Sequence, residues 1–347
     1  MRLRELGTTG LRISVVGFGG IPIIRLPFDE AVAVLRHAVD QGITFFDTAH
    51  VYMDSEEKMG RAFAGIRDRL VIASKTQQRK AKEAMAELEL TLTRLGTDHI
   101  DLYQPHQVSK PEELDALLGP DGAMEALFRA REQGKIRHIG ITSHSLAMAR
   151  KLVATGLFAT IQFPYNIVET EAAQNLFPEA TAAGMGILGM KPFAGGMIDD
   201  GDLALRFLRR HPDLIVLPGC DTVAQVDQAV AVFEAEPVWT TVDQAKAEDY
   251  RQELGSRFCR RCGYCQPCPH GVSITSAMMY KVVAKRMSPA KAVTFSGQVM
   301  ETARQCVACG ECETRCPYTL PIPDMLREHL ALYDSHRAAL GGAETRA

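Results

Sequence analysis

The chain has 347 residues, which is long for one ordinary domain and leaves room for a large core plus a smaller attached unit. Its formal net charge is -3, which argues against nucleic acid or an anionic membrane as a partner. The opening stretch MRLRELGTTG lacks an apolar leader-like run, and no run of about 18 apolar residues occurs further on, so a cytoplasmic protein that does not enter the membrane is expected.

In chain order, the turn-rich Gly7-Thr8-Thr9-Gly10 separates residues 2–6 from 11–15 and predicts a β-hairpin. Residues 15–20 read as a buried strand ending in Gly17-Phe18-Gly19-Gly20. From there strands and helices alternate. Residues 29–40 predict a helix, with Ala31, Val34, Leu35 and Ala38 near helical spacing. Thr44, Phe45 and Phe46 are β-branched or aromatic and predict a short strand closed by Asp47. Asp54-Ser55-Glu56-Glu57 reads as a helix start, a capping side chain with a carboxylate three residues on, and opens a helix over 55–64. Further strands over 70–75, 100–106, 136–142, 160–165, 186–191 and 214–218 alternate with helices over 81–95, 111–133, 146–155, 171–183, 203–210 and 222–233. Strict alternation implies a parallel sheet. Eight strand–helix units in this span match a closed (β/α)8 TIM barrel better than an open doubly wound sheet. The open sheet would usually carry Gly-x-Gly-x-x-Gly after its first strand, and the glycines at 17–20 lack the third spacing.

Four polar side chains fall at the ends of neighbouring strands in this reading. Asp47 closes one strand and Tyr52 lies in the loop beyond it; Lys75 closes the next, and His106 the one after. A parallel barrel gathers such residues on one face. Polar groups gathered in this way can move a proton to or from a bound substrate. A free phenol has a pKa near 10, too high for ready proton exchange at neutral pH, and a neighbouring ammonium favours the phenolate. Asp47 would hold Lys75, and His106 would be placed to hydrogen-bond a bound polar group. Taken singly, a loop tyrosine is more often packing and a lysine after a strand more often solvated.

The chain has 9 cysteines, and all but Cys220 lie between Cys259 and Cys316. Cys259, Cys262, Cys265 and Cys268 form a C-x-x-C-x-x-C-x-x-C-P run. Cys306, Cys309, Cys312 and Cys316 form a C-x-x-C-x-x-C-x-x-x-C-P run, the spacing of a bacterial [4Fe-4S] site. Structural zinc is the competing reading, but zinc sites usually use two separated cysteine pairs. Helices expected at 274–286 and 299–305 make the unit a small helical one. Cys220 reads as a small packing residue. The expected organisation is a barrel over 1–255, an iron–sulfur unit over 256–333 and a frayed tail over 334–347.

The hairpin, the Asp47-Thr48-Ala49…Tyr52 loop, Ser74-Lys75 and Asp101-Leu102-Tyr103-Gln104-Pro105-His106 together resemble the aldo-keto reductases. Gly140-Ile141-Thr142-Ser143-His144, Gln162-Phe163-Pro164-Tyr165-Asn166 and Leu217-Pro218-Gly219 continue the resemblance, which runs to about residue 233. Pro105 departs from it, since the family more often has Leu before the His. The resemblance implies a tetrad of Asp47, Tyr52, Lys75 and His106. It also implies a nicotinamide cofactor, NADH or NADPH, with its carboxamide at Ser143, Gln162 and His144. Gly20, Asp47, Pro218, Gly219 and Asp221 would lie along the cofactor, and the 189–196 segment, with Gly195 and Gly196, would wrap its pyrophosphate. Lys191 stands where the family packs an aromatic on the nicotinamide, with Phe193 as an alternative stacking residue. NADPH-specific members carry a Lys-Ser pair and an Arg after the last strand; residues 219–225 carry no cation here, so NADH is expected to serve at least as well. With its cysteines, the whole chain resembles the subgroup that carries a C-terminal ferredoxin-type domain with two 4Fe-4S clusters. Ligation is expected to cross, each fourth cysteine serving the other cluster. The implied function is reduction of small carbonyl substrates, or the reverse oxidation of alcohols, with a ferredoxin-like protein as a further partner. An electron-transfer or redox-sensing module using the barrel as a nicotinamide platform is the alternative.

Overall fold

The computed structural model describes residues 1–286 and 288–344. By its contacts the chain falls into two compact units. One comprises residues 1–193 and 200–243; the other comprises 194–199 and the chain from Gln244 onward.

The first unit opens with the hairpin, strand β1 (Leu3–Glu5) antiparallel to β2 (Arg12–Ser14). Then come β3 (Phe18–Gly19), β4 (Phe45–Asp47), β5 (Val71–Thr76), β6 (Ile100–Pro105) and β7 (Ile136–Ile139), hydrogen-bonded in that order and all parallel. A second parallel run joins β8 (Ile141–Thr142), β9 (Thr160–Pro164), β10 (Gly186–Met190) and β11 (Leu214–Leu217). β7 and β8 are two halves of one expected strand, parted at Gly140. A Cβ on Gly140 would stand 2.2 Å from the Thr160 hydroxyl, so only glycine lets β9 approach there. Parallel bridges from Val16 to Val216 and from Gly19 to Gly219 join the last strand to the first. The sheet is therefore a closed (β/α)8 barrel, as expected.

Leu6 and Ile13 of the hairpin pack with Phe45, Ala73, Leu102, Leu188, Ile215 and Leu217 in one buried cluster. The hairpin thus caps the end of the barrel where the strands begin, and the polar residues at the strands' ends face the opposite mouth.

The helices between the strands obey the apolar periodicity. Residues Ala81–Leu95 form a helix ended by Gly96 in the left-handed region, φ 61°. The expected helix over 111–133 is two, Pro111–Leu118 and Ala123–Glu132, because Gly119-Pro120 interrupts it. The 171–183 helix likewise divides into a 3-10 turn, Glu171–Gln174, and Leu176–Ala182. Asp54 does not cap the helix Ser55–Phe63, since its carboxylate pairs instead with Lys58 Nζ at 2.9 Å.

The second unit is helical: Thr241–Gly255, which begins just before it, then Ile274–Ala277, Tyr280–Arg286, Pro289–Ala303, Glu311–Thr314 and Ile322–Glu344. The helix expected at 299–305 starts ten residues earlier, where Ser288 accepts from the Lys291 amide and Pro289 takes the first helical position. The expectation of a frayed tail is corrected: the last helix runs on to Glu344. Asp334 binds Arg304, His336 binds the Tyr280 hydroxyl at 2.9 Å and Arg337 pairs with Glu301 at 3.5 Å. These side chains tie the helix to its neighbours well beyond Tyr333; residues 345–347 of the expected tail lie outside the described residues. Among the described residues no helix is long and apolar enough to cross a membrane.

Candidate active site and thiol cavities

The parallel register brings Asp47, Lys75 and His106 into one buried group. Lys75 Nζ lies 2.7 and 2.8 Å from the two Asp47 carboxylate oxygens and donates to the Thr48 carbonyl at 2.6 Å. Burial works against both charges. It pushes the Asp47 carboxyl up and the Lys75 ammonium down, and each partner's charge opposes that shift. Tyr52, half-buried in the loop after β4, sets its ring centre 5.3 Å from Lys75 Nζ and 5.9 Å from the His106 ring, edge to face. Pro105 ends β6 without disturbing the next residue, since the His106 amide still donates to the Thr76 carbonyl at 2.8 Å. Burial holds the His106 imidazole well below the usual histidine range, and the charges of Lys75, Lys191 and Arg79 push it further down. His106 is therefore neutral at pH 7, able to donate from one ring nitrogen only.

Gln162, buried on β9, donates to Asp47 at 3.4 Å and accepts from Gln104 at 2.9 Å. The Ser143 amide donates to the Gln162 carbonyl, and the Ser143 hydroxyl lies 3.4 Å from that of Ser109. His144 donates its amide to Ser109 at 3.0 Å, and its Nε2 meets Lys191 Nζ at 2.7 Å. Lys191 comes directly after β10 and reaches across β9 to do so. A hydroxyl at Ser143 and an amide at Gln162 offer both donor and acceptor, the set that binds a carboxamide.

Gly20 joins this group to the barrel seam through its amide, which donates to the Asp47 carbonyl at 2.7 Å. Pro218 accepts from the Gly19 amide, and a Cβ on Gly219 would stand 2.6 Å from Pro22, so the two loops close tightly. Asp221 pairs with Arg25 at 2.6 Å. Phe193 is half-buried, while Gly195 and Gly196 fall in the second unit with φ of 77° and 91°. Cys220 is buried, which pushes its thiol up to about 12.

The structure adds residues that the sequence pattern passed over. Arg25 belongs to a 3-10 turn after β3 and meets Asp221 from the far end of the unit. Glu56, read as a helix-start carboxylate, is buried and accepts from Ser74 at 2.7 Å and Thr91 at 2.9 Å. Lys58 is also buried, donating to the Ile23 and Leu26 carbonyls. A charge on the buried face of a short helix was the available signal in both cases.

In the second unit the eight clustered thiols line two small cavities. Cys259, Cys262, Cys265 and Cys316 line one; Cys268, Cys306, Cys309 and Cys312 line the other. Each motif thus sends its fourth thiol to the other motif's cavity. Among the described residues no three His, Cys, Asp or Glu side chains are grouped to hold a single metal ion; the thiols are spread round the two cavities. Burial pushes the Cys259 and Cys312 thiols each up to about 11, so holding them as thiolates takes a bound cationic group.

A closed α/β barrel with ionisable groups at its strand ends, followed in the chain by a helical unit built round eight thiols, defines a two-part protein. The aldo/keto reductase family matches residues 15–203, and a 4Fe-4S dicluster domain matches residues 258–321. The chain belongs to the aldo/keto reductase family and carries a C-terminal 4Fe-4S domain. It is 34% identical over 199 residues to the aldo-keto reductase YhdN of Bacillus subtilis, an alignment covering 52% of this chain and 58% of that relative. An aldo-keto reductase of Klebsiella pneumoniae, solved in complex with NADPH, superposes with a TM-score of 0.61 at 25% identity, covering 72% of this chain and 95% of its own. A holo aldo-keto reductase of Bacillus halodurans shares the fold at 23% identity, with a TM-score of 0.60 over 73% of this chain and 96% of its own.

Proposed function

We propose that the chain is a cytoplasmic NAD(P)H-dependent reductase that interconverts small aldehydes or ketones and their alcohols. The observation that carries this reading is the Asp47–Lys75 pair beneath the Tyr52 ring, with a neutral His106 beside it. Bound NAD(P)H would deliver a hydride to the carbonyl carbon while Tyr52 gives its proton to the oxygen, leaving the alcohol. Lys75 favours the phenolate that remains, Asp47 holds Lys75, and His106 donates a hydrogen bond that orients the carbonyl. Ser143, Gln162 and His144 would hold the carboxamide, with Gly20, Pro218, Gly219 and Asp221 along the rest of the cofactor. The pure protein should oxidise NADH or NADPH when given simple aldehydes; no turnover across an aldehyde and ketone panel would exclude the reading.

NADH should bind at least as tightly as NADPH. The loop after β11 presents Asp221, which would repel a 2′-phosphate or accept a ribose hydroxyl. Arg150, a candidate to replace the missing cation, is engaged with Glu179 at 2.6 Å. Fluorescence titration of both cofactors checks this. NADPH binding tenfold tighter would mean that a cation such as Arg25 leaves Asp221 to take the phosphate.

The two sets of four thiols fit two [4Fe-4S] clusters, Cys259, Cys262, Cys265 and Cys316 for one, Cys268, Cys306, Cys309 and Cys312 for the other. They favour a second reading beside the first, electron exchange with a ferredoxin-like partner or redox sensing. Aldehyde turnover separates the two: a module that only uses the barrel as a platform would bind nicotinamide without reducing carbonyls. The domain limits proposed are a barrel to about residue 255 and an iron–sulfur unit beyond it.

A further inference from the structure

The two thiol cavities differ in what covers them. Around the set of Cys259, Cys262, Cys265 and Cys316 stand Arg260, Met278, Leu320 and Ile322, all of them buried. Met278, Leu320 and Ile322 pack with Cys265 in the apolar core of the second unit, so that unit's own packing covers the site. Among the described residues that line this cavity, none is exposed.

The other set, Cys268, Cys306, Cys309 and Cys312, is closed on one side by Val272 and Leu326 of the same core. On another side Pro269, His270, Val307 and Glu311 line it and are exposed. Val307 is 61% exposed although apolar, and Cys309 is exposed where the other three thiols of its set are not. The backbone makes this opening. The helix Pro289–Ala303 ends just before Cys306, whose amide donates to the Ala303 carbonyl at 3.2 Å. Ala308 then takes a φ of 55° and Gly310 a φ of 80°, so the chain turns sharply on both sides of Cys309. Alanine seldom adopts the left-handed region, and such strain persists only where the surroundings impose it. Arg315 donates to the Pro267 carbonyl at 3.0 Å and lies 3.6 Å from Glu311, so these two charges at the cavity offset each other. Ile274, buried, borders both cavities.

We propose that the opening beside Val307 and Cys309 is the port at which the second unit exchanges single electrons with a soluble one-electron carrier protein, while the set of Cys259, Cys262, Cys265 and Cys316 is shielded from that carrier. This rests on the reading of the eight thiols as ligands of two [4Fe-4S] clusters. Electron transfer weakens steeply with distance, so a carrier serves the site it can approach. Encounters of this kind use small contact areas, and an exposed apolar side chain rimmed by charge suits them. Each transfer moves one electron: the carrier is oxidised, the unit is reduced, and no bond or proton changes hands.

The test puts a charge at the port. Full-length Val307→Lys and Val307→Glu, purified without oxygen, are reduced at low salt by two small reagents. Reduced methyl viologen is a cation; dithionite acts as the sulfur dioxide radical anion; each gives one electron. Val307→Lys should slow the cation and speed the anion by about threefold or more, Val307→Glu should do the reverse, and about 1 M salt should erase both effects. The same substitutions at Tyr264, exposed beside the first motif, should leave the rates close to wild type. Rates unchanged in both Val307 variants, or the effect appearing at Tyr264 instead, overturn the proposal. A second measurement needs no charged variant. EDTA should strip first the cluster whose EPR signal Cys309→Ser alters; loss of the other signal first, or of both together, also overturns the port. If the wild type shows no iron–sulfur signal at all, it is the cluster reading that fails, and the port with it.

Discussion

Tyr52→Phe is expected to lower carbonyl reduction by about 100-fold or more while leaving cofactor affinity in place, the scale set by losing a positioned proton donor. The substitution removes one oxygen and keeps the ring, so the edge-to-face contact with His106 and the packing over Lys75 survive. The ionic pair beneath keeps its own anchors, because Lys75 is held by Asp47 and the Thr48 carbonyl. What disappears is the hydroxyl proposed to give up a proton beside an ammonium. Steady-state rates on a reactive aldehyde, together with NADH titration of the same preparation, check both halves. Unchanged turnover would remove Tyr52 from the chemistry, and equal loss of turnover and NADH binding would make its role structural.

Iron content and ligand substitution should show effects as large in the second unit. Protein purified without oxygen should hold about eight iron atoms per chain, the content of two cubanes. About four would leave one cluster, and zinc in their place would remove the redox reading. Cys316 lies in the second motif but lines the cavity of the first. Cys316→Ser should therefore alter the EPR signal of the cluster proposed for Cys259, Cys262 and Cys265, whereas Cys309→Ser should mark the signal of the other. If Cys316→Ser changes only the signal that Cys309→Ser changes, the ligation does not cross. Because crossing ties both ends of the unit together, losing either fourth thiol should also loosen both motifs and raise proteolysis of the region. Carbonyl reduction should survive, since a hydride carries two electrons and a [4Fe-4S] centre passes one, so the clusters have no obligatory part in that step.

Much of the barrel was legible because its signals are local. Gly42 and Asp47 bracket Thr44-Phe45-Phe46, and the strand Phe45–Asp47 forms there. The helix Ala81–Leu95 ends at its glycine as its periodicity requires. The helix Thr241–Gly255 was not legible because its sequence, TVDQAKAEDYRQELG, has almost no apolar stripe to read. The tail misleads for a related reason. Ala, Gly and charge after Tyr333 look unsupported in sequence, and the contacts of Asp334 and His336 that support the helix come from residues 30 and 56 positions away.

The sequence by itself determined which side chains stand at the strand ends and which eight thiols form the two motifs, because period, turn chemistry and spacing are properties of neighbours along the chain. Only the tertiary structure decided that Lys75 meets Asp47 with both carboxylate oxygens, that Arg25 meets Asp221, and that Lys191 crosses two strands to His144. It likewise decided that Cys268 and Cys316 face each other's cavities. These partnerships depend on barrel register, on loop closure and on Lys191 being held in the left-handed region, φ 60°. No local pattern encodes them, since each is set by where the backbone brings distant residues together.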